Sequence, residues 1–463
     1  MAIDPLESDT LYLALDVGEG KSELHKSTNG GRTWSNLTQN FPRQPQINTL
    51  AVVKADELYA GGGFEMGRKG NLYHSTNGGR TWEILELGQG RNLVMGKPEL
   101  LIKPVSYECN LDCGYCFYKK TSSLYPGRTH KMREDVLEKL ISEVMTWSGD
   151  EPRIFCWQGG EPLLAGVEFF KRVVELQKKH GKTGQIVGNS IQTNATLLNS
   201  EWIRLFRQYN FFIGVSLDGP QEVHNYYRQY ASTRRSFSRT VTGISLLRKG
   251  GIDFNILSTI AKETAENPQK IYDFFLSQDL HFLQFIPAVD RNEEKVQNFS
   301  ITPIQYGDFL CRLFDVWWND GSPAASVRLF DNILEILLGH CSSSCLFKRE
   351  CGDYIVVEYN GDVYPCDFFV RVEWKLGNIL ELPLTELSKR AKLQFGKLKR
   401  IVPPGCESCQ WNFICNNGCL WLRWVRNGSL EDKDYFCESY KYFFSYTIGR
   451  LERLCDSILR KDD

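Results

Sequence analysis

The run Leu100-Leu101-Ile102-Lys103-Pro104-Val105 reads as a short, mostly apolar strand. It feeds directly into Ser106-Tyr107-Glu108-Cys109-Asn110-Leu111-Asp112-Cys113-Gly114-Tyr115-Cys116-Phe117. Three cysteines at C-x3-C-x2-C in the loop after a strand decide how the rest of the chain is read. Three thiolates can ligate three irons of a cubane cluster and leave the fourth iron open to another ligand. A zinc site would need a fourth protein ligand nearby, and none is obvious in the surrounding sequence.

Outward from this loop, strand-like runs recur at Arg153 to Trp157, Gln185 to Gln192, Phe211 to Leu217, Asp253 to Ile260 and His281 to Ile286. Helix-like runs alternate with them. In the first, Val136, Leu137, Leu140, Ile141, Val144 and Met145 share one face at helical spacing. The others are Val167 to Lys179, Ser200 to Gln208, Phe237 to Lys249, Pro268 to Ser277 and Pro303 to Trp318. Six β–α units in series predict a parallel sheet covered by helices. Six fall short of the eight that close a barrel, so the expected fold is α/β, a partial (β/α)6 barrel over residues 96–335. Active sites in such barrels lie at the C-terminal ends of the strands, where the cysteine loop and the motifs below fall.

The chain has 463 residues, a formal charge of −1 and 15 cysteines. Near-neutral charge argues against a general nucleic-acid or membrane-surface binder. With no signal-peptide pattern and no apolar run of about 18 residues, a cytoplasmic location is expected. Cysteines are clustered, and in a reducing compartment that points to metal ligation rather than disulfides.

Residues 1–95 contain no cysteine and repeat: Ser27-Thr28-Asn29-Gly30-Gly31-Arg32-Thr33-Trp34 recurs as Ser75 through Trp82, a 48-residue period. Each copy follows a strand-like stretch, which predicts a small all-β repeat region of about two blade-like units. Beyond about residue 341 the cysteines crowd, long helices become scarce, and metal clusters rather than a large core are expected to hold residues 336–463. Cys345, Cys351 and Cys366 precede Cys406, Cys409, Cys415, Cys419 and Cys437, enough for two four-thiolate clusters. Two zinc ribbons are the alternative. Cys341 could compete with Cys345, while Cys156, Cys311 and Cys455 fit no motif.

The cysteine loop and Gly159-Gly160-Glu161-Pro162, after the second strand, resemble the radical S-adenosylmethionine (SAM) superfamily. With Gln192-Thr193-Asn194, Ser216-Leu217-Asp218-Gly219 and Arg228, residues 98–445 resemble its anaerobic sulfatase-maturing branch. The eight C-terminal cysteines resemble a SPASM domain, and the N-terminal octapeptide resembles the Asp-box of sialidase-type propellers, with Asn29 and Asn77 in place of Asp.

That resemblance implies three 4Fe–4S clusters and SAM as cofactors. Cys109, Cys113 and Cys116 would hold the SAM-binding cluster. Cys345, Cys351, Cys366 and Cys419 would hold one auxiliary cluster, and Cys406, Cys409, Cys415 and Cys437 the other. Gly159, Gly160 and Glu161 would meet the SAM amino group, with Gln158, Ser216 and Arg228 as further contacts. A plain β–α turn, a cap and a surface charge are the ordinary readings of those residues.

Asp367, in Tyr364-Pro365-Cys366-Asp367, would be the base that deprotonates the substrate, or else an Asp turn bonded to backbone. Tyr118 would be a substrate-site residue, or an aromatic packed on the loop. The implied activity is oxidation of a Cys or Ser in a sulfatase-type peptide to Cα-formylglycine through a 5′-deoxyadenosyl radical. A flavodoxin or ferredoxin would supply the electron, and neither nucleic acid nor membrane is expected as a partner. Other SPASM chemistry on ribosomal peptides (thioether crosslinking, epimerisation, side-chain crosslinking) is the alternative enzyme class. A scaffold with purely structural clusters is the non-enzyme alternative.

Overall fold

Val136, Leu137, Leu140, Ile141, Val144 and Met145 are all buried along one face of helix α1 (Glu134–Thr146), as their spacing requires. In the computed structural model the described residues are 99–459, apart from 128, 148–151, 233 and 293. Nearer the N-terminus they are 2–3, 9–18, 21–41, 47, 49–54, 57–62, 71–77 and 79–85. Gly78 of the second octapeptide and the expected boundary at 95–96 lie outside them. The chain divides into two compact units, Met1–Val94 and Met95–Asp463.

In the larger unit the strands are β1 (Glu99–Lys103), β2 (Arg153–Trp157), β3 (Val187–Thr193), β4 (Phe212–Ser216), β5 (Phe254–Ile260), β6 (Phe282–Pro287) and β7 (Ser326–Val327). They pair in parallel from β1 through β7. Between and after them lie α1, α2 (Val167–His180), α3 (Ser200–Tyr209), α4 (Phe237–Gly250), α5 (Pro268–Ser277) and α6 (Pro303–Trp318). The first strand ends at Lys103 because Pro104 has no N–H to give the ladder.

The all-parallel six-stranded expectation is corrected at both edges. A short seventh strand, β7, adds to one edge. On the other, β8 (Tyr354–Glu358) pairs parallel to β1, and β9 (Asp362–Tyr364) and β10 (Gly377–Asn378) follow antiparallel, making a ten-stranded mixed sheet. The reversal between β8 and β9 turns on Gly361, whose φ of +90° favours glycine. A Cβ there would also sit 2.8 Å from Asn378 Oδ1.

The expectation that long helices end early is also corrected. Cys437–Leu459 is a 23-residue helix. It lies against α6, with Ser439 Oγ donating to the Pro303 carbonyl at 2.6 Å and Arg450 pairing with Asp315 at 2.8 Å. One hydrophobic core runs from Leu100 to Leu451, so residues on both sides of position 336 share it.

The smaller unit holds two four-stranded antiparallel sheets. One comprises Ala2–Ile3, Leu11–Gly18, Lys21–Ser27 and Ser35–Asn36. The other comprises Thr49–Lys54, Glu57–Gly62, Asn71–Ser75 and Glu83–Leu85. Each octapeptide closes on itself in the same way. Ser27 Oγ accepts from Gly31 N at 2.9 Å and Asn29 Oδ1 from Thr33 N at 2.9 Å, while Ser75 and Asn77 accept from Gly79 N and Thr81 N at 2.9 Å each.

Candidate active site

The loop after β1 carries the three leading cysteines, and β1's neighbours hold it in place. Gly160 N donates to the Ser106 carbonyl at 2.7 Å and Glu161 N to the Glu108 carbonyl at 2.7 Å, so the Gly159-Gly160 turn is sewn onto the segment leading to Cys109. A Cβ on Gly160 would stand 1.9 Å from the Glu108 carbonyl oxygen, and one on Gly159 2.7 Å from that of Ser106. The glycines are required by backbone-to-backbone approach. Gly160→Ala should therefore displace the loop and lower the iron held after anaerobic reconstitution by about four per chain, one four-iron cluster; iron analysis checks this.

Cys109 is exposed as a residue, yet crowding around its thiol, then Glu161, Cys113 and Cys116, push it up to about 12. Burial likewise pushes Cys113 up to about 11, with Arg228 opposing and Cys116 adding. Cys113 and Cys116 act on Cys109, and Cys116 on Cys113, so the three thiols are neighbours. Among the described residues no three His, Cys, Asp or Glu side chains converge as ligands to a single ion would. A soft, all-thiol set without a fourth protein donor fits an iron–sulfur cluster with one open iron.

Around this loop, Glu161 is fully buried. Its carboxylate accepts from Leu163 N at 3.0 Å, Thr193 Oγ1 at 2.8 Å and Asn194 N at 2.8 Å. Burial pushes its pKa up to about 7 against those bonds. The side chain braces the ends of β2 and β3. Asn194 Nδ2 in turn reaches Asn110 Oδ1 at 2.9 Å and Cys109 Sγ at 3.8 Å.

Gln158 extends β2, its N–H donating to the Ile102 carbonyl at 2.9 Å. Ser216, at the end of β4, accepts from Gln192 Nε2 at 3.0 Å. Arg228 Nε meets both Asp218 oxygens at 3.0 Å. Tyr115 OH donates to the same carboxylate at 2.5 Å, and its ring lies 5.5 Å from the guanidinium. Asp218 and Tyr115 fix the arginine, a role that sequence reasoning did not assign to either.

A second group lies where β1 and β8 run side by side. Lys103 and Glu358 are directly opposite in register. Lys103 Nζ is 2.6 Å from Asp367 Oδ1 and 4.3 Å from the centre of the Tyr118 ring, and Tyr118 OH donates to Glu358. Burial pushes Glu358 up to about 7. Burial, Glu358 and Asp367 hold the Tyr118 hydroxyl well above its ordinary range. The structure thus brings Asp367 and Tyr118 together around Lys103. Lys103 and Glu358 were missed; the only signal was a lone charge at the end of each apolar strand.

Eight of the other twelve cysteines fall in two groups. Cys345, Cys351 and Cys419 all act on the Cys366 thiol, which burial holds well above its ordinary range. Tyr354 OH lies 3.6 Å from Cys345 Sγ and 3.8 Å from Cys366 Sγ. Cys406, Cys409, Cys415 and Cys437 line one cavity with Trp411, Tyr440 and Lys441. Cys341 is exposed, and Cys311 and Cys455 are buried.

Comparison with known proteins places this arrangement. The radical SAM superfamily model matches residues 104–275, and the SPASM iron–sulfur cluster-binding domain model matches residues 345–410. The cysteine-type anaerobic sulfatase-maturating enzyme of Clostridium perfringens (strain 13) is 40% identical over 365 residues, covering 78% of this chain and 98% of that protein. The serine-type enzyme of Bacteroides thetaiotaomicron is 36% identical over 373 residues, covering 76% and 90%. The solved structure of native anSMEcpe with bound AdoMet superposes with a TM-score of 0.73 at 39% identity, covering 77% of this chain and 99% of that one. The same protein with AdoMet and the Cp18Cys peptide gives 0.72 at 40% identity, covering 78% and 99%. The cofactors are 4Fe–4S clusters and SAM. By fold, by thiol content and by identity along nearly the whole length of its relatives, this chain belongs to the anaerobic sulfatase-maturating enzymes of the radical SAM superfamily.

Proposed function

We propose that this enzyme oxidises a cysteine or serine of a sulfatase-type peptide to Cα-formylglycine, with Asp367 as the proton acceptor. The observation that carries the reading is the Asp367–Lys103 pair at 2.6 Å beside Tyr118, at the C-terminal edge of β1 and next to the cysteine loop. Bound by Cys109, Cys113 and Cys116, a cluster with SAM would supply the radical that removes a substrate hydrogen.

The protein's own share is binding, orientation and proton handling. Arg228, oriented by Asp218, suits the SAM carboxylate. Gln158, Gly159, Gly160 and Ser216 line the same strand ends, and Glu161 braces them. Lys103 engages Asp367 Oδ1 and so fixes the carboxylate that takes the thiol or hydroxyl proton. Tyr118, held by Glu358, packs against the lysine and shapes the substrate side. Cys345, Cys351, Cys366 and Cys419, and separately Cys406, Cys409, Cys415 and Cys437, would hold the auxiliary clusters that receive the remaining electron.

A flavodoxin or ferredoxin would deliver the initiating electron. Among the described residues no helix is long and apolar enough to cross a membrane. The N-terminal octapeptides serve as Asp-box-type turns that stiffen a partner-docking or packing unit; their matching hydrogen bonds support this.

The test is anaerobic incubation with SAM, reductant and peptides carrying C-x-P-x-R or S-x-P-x-R. Mass spectrometry should find the aldehyde in at least one. Absence of aldehyde from both, with SAM still cleaved, would move the enzyme to another peptide modification.

A further inference from the structure

Lys399 and Arg423 are both 0% exposed, an unusual state for long cationic side chains. Their donors go to backbone carbonyls. Lys399 Nζ reaches the carbonyls of Cys345 at 3.2 Å and Leu346 at 2.9 Å. Arg423 reaches those of Asn417, Ile401, Leu430 and Lys399 at 3.0, 2.8, 3.2 and 3.1 Å. No carboxylate forms an ion pair with either among the described residues. Asp434, the buried carboxylate of this region, accepts instead from Cys419 N at 2.9 Å and Phe436 N at 2.7 Å.

Asp434 acts on both cations but supplies only one negative charge for two positive ones; a buried cation left unbalanced is strongly disfavoured, so a further anion must be supplied from elsewhere. The set of Cys345, Cys351, Cys366 and Cys419 adjoins these cations. Lys399 bonds the carbonyl of one ligand, Cys345, and Arg423 follows another, Cys419, by one helical turn. Arg423 interacts with Cys406, then with Asp434, and then with Cys351 and Cys419.

We propose that Lys399 and Arg423 are counter-charges for the auxiliary cluster of Cys345, Cys351, Cys366 and Cys419, raising its reduction potential so that it accepts an electron more readily. The inference rests on the ligand set proposed above. A cluster bound by four thiolates becomes one charge more negative on reduction, and a fixed buried cation stabilises that state. Neither residue touches substrate; each acts through the cluster.

The experiment compares full-length, anaerobically reconstituted wild type, Lys399→Gln and Lys399→Arg by iron analysis and EPR-monitored redox titration. Lys399→Gln should keep about twelve irons and make reduction of that cluster about tenfold less favourable, a lowering of about 59 mV for one electron. Lys399→Arg should stay near wild type. If Gln fails to load iron where Arg loads fully, the charge itself is required, which also supports the proposal. An unchanged potential in a fully loaded Gln variant overturns it, as does equal iron loss in both variants. Wild type holding only one cluster, or zinc, would instead fail the ligand assignment on which the inference stands.

Discussion

Replacing Cys109, Cys113 and Cys116 together by Ala will remove about four of about twelve irons and abolish reductive cleavage of SAM. The loop should survive the change although Leu111 N and Asn194 Nδ2 lose the Cys109 sulfur as acceptor, because backbone bonds also hold it. Asp112 N donates to the Gln229 carbonyl at 2.6 Å and Gly114 N to that of Tyr227 at 3.1 Å. Glu161 continues to tie β2 to β3 through Thr193 and Asn194. The other eight thiols come from residues 345–437 and should keep their iron. Iron analysis with a SAM-cleavage assay reads both effects in one preparation. Cleavage surviving the triple change, or zinc in the wild type, would contradict the assignment of this loop.

Asp367→Asn should lower peptide oxidation by about 10²–10⁴-fold, the usual size of a general-base contribution. SAM binding and reductive cleavage should continue, partly uncoupled from product. Asn is close in shape, and its amide oxygen can still face Lys103 Nζ. The amide cannot take a proton. Lys103 is only 2% exposed at its side chain, so losing the anionic partner should also lower Tm, and activity must be compared at a temperature where both proteins are folded. A cysteine peptide should tolerate the change better than a serine peptide, because a thiol ionises near ~8.5 and a hydroxyl far higher. Mass spectrometry of both peptides is the readout. Full activity in the variant would remove Asp367 from the mechanism without disturbing the family assignment.

The six β–α units were legible because each helix and strand buries a face at its own period. Val136 to Met145 in α1 show this directly. Tyr354-Ile355-Val356-Val357-Glu358 is an equally plain apolar run, yet its place was not legible, because its partner strand lies some 250 residues earlier. Lys103 and Glu358 were hidden for the same reason: each is a lone charge until the β1–β8 register sets them opposite one another. The helix Cys437–Leu459 was overshadowed by its first residue, read only as a ligand, although Tyr440, Phe443, Phe444, Thr447 and Leu451 are buried along one face. Cysteine spacing made the thiol count legible. Which thiols share a site depends on tertiary placement, as Cys419 beside Cys345 and Cys351 illustrates.

The pairing of β8 with β1 also sets a timetable for biosynthesis. Lys103 leaves the ribosome some 250 residues before Glu358, roughly 13–50 s earlier at common elongation rates. Through that interval one side of β1 presents unpaired N–H and C=O groups, an edge on which nascent chains can stick to one another. Slower elongation should therefore lower soluble yield even though the finished fold is the same.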